Sequence, residues 1–88
     1  MNTIDTLLEL REEIVVFKDV NDKICVEYRN GFISDGFALI GNPGRGDTFD
    51  EACRAYIRNI QGKTLVFDGP RTKRKEVKVL FVEGENAT

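Results

Sequence analysis

Short apolar runs and polar breaks follow one another along the chain, and their spacing predicts most of its elements. Residues 3–13 form the first predicted helix. Thr3 can cap it, and Ile4, Leu7 and Leu8 share a face with Leu10 to one side. Asp5, Glu9 and Glu13 stack at i, i+4 spacing along it, which disfavours the isolated helix and calls for tertiary support. The continuous β-branched run 14–17 then reads as a strand, and 19–22 as a turn. Over 23–29, Ile24, Val26 and Tyr28 alternate with Cys25, Glu27 and Arg29, the pattern of a half-buried strand. Asn30-Gly31 and Asp35-Gly36 are both hairpin signals, and a strand at 37–40 can follow either.

The strongest periodicity comes next. Phe49, Ala52, Cys53, Tyr56, Ile57 and Ile60 fall on one helical face. Thr48 and Glu51 have the spacing of a capping box, Asp50 and Glu51 suit the positive end of the helix dipole, and Gly62 suits a left-handed stop. Residues 63–68 and 75–82 complete the set as strands around a turn at 69–73 containing Pro70. Val77, Val79 and Phe81 lie on one face of the last strand, and Leu80 and Val82 on the other.

The order α-β-β-β-α-β-β, with short links, predicts a single α+β domain over residues 1–88. It is expected to have an antiparallel sheet of about five strands, one main helix packed on it and a short N-terminal helix, with 83–88 a frayed tail. Several strands are apolar on both faces. The main helix can cover one face, so the other needs the N-terminal helix or a second chain, and a homodimer is expected.

Composition narrows the class. With 41% hydrophobic and 32% charged residues, the chain has the balance of an ordinary globular protein. No apolar run approaches the roughly 20 residues of a membrane span, and the acidic start lacks the form of a signal peptide. The two cysteines are expected as reduced, buried thiols of a cytoplasmic protein, in preference to a Cys25–Cys53 disulfide. The net charge of −2 hides an asymmetry: residues 1–53 carry 5 basic and 11 acidic groups, and residues 54–78 carry 8 basic and 2 acidic groups. Either the second segment presents a basic surface to an acidic partner, or the two segments neutralise each other.

Candidate chemistry is sparse. Gly41, Gly46 and Thr48 match a phosphate-binding loop, but Asp47 stands where that loop needs its lysine and would repel phosphate. The capping box also gives Thr48 a structural task. The tripeptide Arg45-Gly46-Asp47 matches an integrin ligand only by chance in a chain with no export signal. The chain has no histidine, the commonest general base and metal ligand, and its carboxylates are scattered, so neither catalysis nor a cofactor is expected. Arg71, Lys73, Arg74, Lys75 and Lys78 form a basic hairpin that can grip phosphates or an acidic protein, or serve as a solvated turn that blocks edge pairing. No aromatic residue is interleaved to stack bases.

The glycine-rich turn, Gly46-x-Thr48-x-x-Glu51-Ala52 opening a helix, Gly62-Lys63-x-Leu65-Val66-Phe67, and the basic-to-apolar run Arg74 to Val82 together resemble a family of small proteins of bacteriophages and prophages of Gram-positive bacteria. The resemblance covers about half the chain. The capped-helix portion is also similar to the small lobe of HicB-type antitoxins, though no DNA-binding tail accompanies it. The phage resemblance implies a non-enzymatic accessory protein that binds a host or phage protein in the host cytoplasm, as an inhibitor of a defence nuclease or regulatory complex. A nucleic-acid-binding module built on the basic hairpin is the alternative, followed by an antitoxin-like partner.

Overall fold

The computed structural model describes residues 3–69 and 73–81. Among them, two helices and seven strands follow in the order α-β-β-β-β-β-α-β-β. This is the expected α+β class with antiparallel pairing and one main helix. The strands do not make one sheet of about five. They divide into a three-stranded and a four-stranded sheet that share one core.

The first sheet has the order β1 (Ile14–Lys18), β2 (Ile24–Tyr28), β5 (Gly44–Gly46). Ile14 lies opposite Tyr28 and Val26 opposite Gly44, so this face carries Val26 and Tyr28 into the core. Asp19 closes the β1–β2 turn: its Oδ1 accepts the backbone N–H groups of Asn21 (2.8 Å) and Lys23 (3.0 Å).

After β2 the chain turns sharply at Asn30, which takes the left-handed conformation (φ 57°), and enters the second sheet. That sheet has the order β4 (Ala38–Ile40), β3 (Gly31–Asp35), β6 (Thr64–Phe67), β7 (Lys75–Lys78). Of the two hairpin signals, Asp35-Gly36 makes the hairpin, between β3 and β4, whereas Asn30-Gly31 turns the chain from one sheet to the other, and Gly31–Asp35 is a strand. Ile33 lies opposite Leu65, and Leu65 opposite Val77, on the face that meets the core. Two sheets with one inner face each account for much of the two-sided apolar character expected of a single sheet. Two outer-face residues, Cys25 and Val66, are buried on the central strands β2 and β6.

The main helix, α2 (Phe49–Ile60), buries Ala52, Cys53, Tyr56 and Ile60. Phe49, the first residue of the helix and expected on that face, stays 40% exposed. The capping reading holds. Thr48 Oγ1 accepts the N–H of Glu51 at 3.1 Å, and Glu51 Oε1 reaches back to the N–H of Asp47 at 3.2 Å. Gly62, at φ 76°, turns the chain out of the helix, and its N–H donates to Val79 O at 2.9 Å. The side chain of Gln61 then pairs with the backbone of Phe81 in both directions, at 3.0 and 3.2 Å, and continues the alternation beyond β7 with Val79 and Phe81 buried and Leu80 exposed.

The first helix, α1 (Thr3–Leu8), is shorter than the 3–13 expected. Tight bonds from Glu9 N to Thr6 O and Arg11 N to Leu8 O close it, and Arg11 is left-handed at φ 56°. Glu13 is needed elsewhere: its carbonyl accepts the N–H of Arg29 at 2.8 Å and extends the β1–β2 ladder. A helix this short cannot persist alone. Leu7 is fully buried, and its carbonyl accepts the hydroxyl of Tyr28. The expected tail at 83–88 lies outside the described residues.

Candidate functional site

The glycine-rich stretch before α2 is a packing device. A Cβ placed on Gly44 would collide with the Ala52 carbonyl oxygen and the Tyr56 nitrogen, and would lie 2.7 Å from Tyr56 Cα. On Gly46 it would lie 2.6 Å from Glu51 Cβ and 2.8 Å from Ala52 N. Strand β5 thus runs against the backbone of α2, a closeness only glycine permits. Of the residues that resembled a phosphate loop, Gly46 is packed against α2 and the Thr48 hydroxyl is occupied in the cap, and Asp47, at the lysine position, is paired to Lys23.

Above β5 lies an open cleft of about 650 Å³ bordered by Asp19, Lys23, Arg45, Asp47, Arg54 and Arg58. Most of its charges are compensated. Lys23 pairs with Asp47, Arg45 Nε lies 3.3 Å from Asp19 Oδ2, and Arg54 pairs with Asp50 at 2.9 Å. The backbone N–H of Lys23, helped by that of Asn21 and by Arg45, holds the Asp19 carboxyl below its ordinary range. Among the described residues, no group of three potential ligands is placed to hold a metal ion.

The buried titratable groups belong to the core. Tyr56 accepts the N–H of Tyr28 at 3.1 Å, and the two rings meet edge to face at 5.5 Å. Burial pushes the Tyr56 hydroxyl up to about 12 and the Cys53 thiol up to about 11, and it raises Tyr28 further. Cys25 and Cys53 are free and buried, as expected.

The basic hairpin is not one cluster. Arg71 lies outside the described residues. Arg74 lies 3.7 Å from Asp68. Lys75 is exposed at the end of β7, on the same face as Val77, with its ammonium 5.5 Å from the centre of the Phe67 ring and paired to Glu12. Lys78, three residues on, lies on the opposite face of the same strand. Lys73 and Lys78 are exposed and have no ion pair with a described residue.

Two further cations of the basic segment, Lys63 and Arg58, lie outside the hairpin. Lys63 is adjacent to Lys78, because Val79 N donates to Lys63 O at 2.8 Å and Thr64 is paired with Lys78. Arg58 lies on α2 and borders the cleft above β5. Neither has an ion pair with a described residue. Of the seven ion pairs among described residues, only Arg54–Asp50 and Lys75–Glu12 link the acidic segment to the basic one. Among the described residues, the two segments neutralise each other at these two pairs alone.

A second surface lies on the strand expected at 37–40. The β3–β4 hairpin carries a fully exposed Phe37, with Leu39 and Ile40 about two-fifths exposed. None of the described helices is long and apolar enough to cross a membrane. No protein-family model, curated protein or solved structure matches the chain.

Proposed function

We propose that this is a non-enzymatic protein that acts by binding the acidic surface of another protein. The observation that carries the reading is the set of cations left without an ion pair to a described residue: Arg58, Lys63, Lys73 and Lys78. In a chain of net charge −2, the excess of positive charge over residues 54–78 favours an acidic partner and speeds encounter with it. A protein is favoured over nucleic acid because Phe67, the ring that Lys75 of the hairpin lies over, is 3% exposed and offers no stacking platform. The resemblance to phage proteins adds the partner class: a host protein in the bacterial cytoplasm, inhibited by the contact.

The test is a pull-down from a Gram-positive host lysate with and without nuclease, repeated with Arg58→Glu, Lys63→Glu and Lys78→Glu combined. A protein partner retained after nuclease treatment and lost with the triple reversal supports the reading. Oligonucleotides should bind weakly at physiological salt. A sub-micromolar oligonucleotide complex whose log affinity falls against log salt with a slope of about −2 to −3, as three or four phosphate contacts on a single strand give, would establish nucleic acid as the target instead.

A further inference from the structure

The open edges of the two sheets are not alike. The edge strand β7 carries Lys75, Glu76 and Lys78, β1 ends in Lys18, and β5 has Arg45 at its centre. Charges of this kind normally keep an edge from pairing. The remaining edge, β4, has none. Phe37, Ala38, Leu39, Ile40 and Gly41 are consecutive, uncharged and exposed.

The hairpin geometry sets which backbone groups face outward. Gly36 and Phe37 form a two-residue loop with φ 62° at the glycine alone, the pattern of a type II′ turn, and Asp35 pairs with Ala38 across it. Ala38 and Ile40 then direct their N–H and C=O groups to β3, and Leu39 directs its own to the open edge. Antiparallel pairing with an identical strand about a two-fold axis at Leu39 lets the two Leu39 residues exchange both hydrogen bonds.

The same axis sets each large side chain against a small one. Ala38 meets Ile40 of the second copy, and Phe37 meets Gly41. Leu39 meets its own copy on the outer face. The nearest charges along the chain, Asp35 and Arg45, lie outside the paired residues. This self-complementarity identifies the occupant, since an isologous contact requires one patch to fit itself.

We propose that β4 is a homodimer interface, with two copies joined edge to edge through Leu39 into a continuous eight-stranded sheet. The two Phe37 rings contribute about 300–500 Å² of buried surface. With so few residues on each side the interface falls below the roughly 1,200 Å² of standard complexes. The dimer is therefore weak and reversible, forming at micromolar concentration.

Sedimentation equilibrium on the full chain tests this, with circular dichroism confirming that each variant is folded. The wild type should pass from 10.0 kDa to twice that mass as concentration rises. Leu39→Lys and Leu39→Asp, each alone, should weaken association at least tenfold, because each sets two like charges on the axis. Mixed in equal amounts they should recover it, because Lys then faces Asp. A wild type that stays at 10.0 kDa throughout overturns the proposal, as does undiminished dimerisation of either variant or failure of the mixture to recover. These outcomes are independent of the basic surface, which the Leu39 variants leave unchanged.

Discussion

Replacing Gly44 by alanine isolates the contact on which the β5–α2 packing depends. Its φ is not in the left-handed region, so alanine suits the backbone. In an open position the substitution would even stabilise the protein by about 0.4–1 kcal/mol through the unfolded state. The whole cost at Gly44 is therefore steric. The added carbon would sit 2.7 Å from Tyr56 Cα, against about 3.5–4.0 Å for ordinary carbon contacts, so strand and helix must part by about 1 Å. Overpacking typically costs about 1–3 kcal/mol when side chains can rotate away. Here the obstructing atoms are helix backbone, which cannot, and the separation also loosens Ala52 and Tyr56 in the core. The expected loss is about 3 kcal/mol or more, a large part of the roughly 5–15 kcal/mol of a small domain. At about 4 °C or more per kcal/mol, Tm should fall by about 12 °C or more. Urea denaturation followed by circular dichroism measures the loss by linear extrapolation. Gly41→Ala, with no atom within 4 Å of its added carbon, is the control and should be neutral or slightly stabilising. A Gly44→Ala protein within about 0.5 kcal/mol of wild type would show that β5 does not lie against α2 as described.

Two further outcomes follow from the cap and the buried hydroxyls. Thr48→Ala should destabilise the protein by about 1 kcal/mol in the same assay and Thr48→Ser by little, while neither ATP nor GTP should shift Tm; a nucleotide-dependent shift would restore the phosphate-loop reading. The raised values of Tyr28, Tyr56 (about 12) and Cys53 (about 11) mean that folding favours their neutral forms. Stability from these groups is full below their unfolded values, about 8.5 for cysteine and about 10 for tyrosine, and is lost as pH rises through the folded ones. Tm should therefore fall between about pH 9 and pH 12, and Tyr56→Phe should reduce that fall; an unchanged profile in Tyr56→Phe would remove Tyr56 from the account.

What the sequence determined by itself is the set of elements whose signal is local. The capped helix was legible because Thr48, Glu51 and the apolar spacing from Ala52 to Ile60 report on neighbours one or two turns away. The alternation around Val26 and Tyr28, and around Val77, Val79 and Phe81, was legible for the same reason, as was the charge excess of residues 54–78. Tertiary structure decided the rest. Strand β5 is glycine at both ends, so it has no side-chain pattern to read, and it is held by pairing to β2 and by contact with α2. Strand β3 lies between two turn signals and exists because β4 and β6 flank it. Helix α1 stops at Leu8, although its pattern runs on, because Glu13 is drawn into the ladder with Arg29. Alternation around Val77 already separates Lys75 from Lys78, but only the tertiary structure brings Glu12 to Lys75. Local spacing encodes amphipathic period, whereas pairing register and close backbone approach depend on residues far apart in the chain.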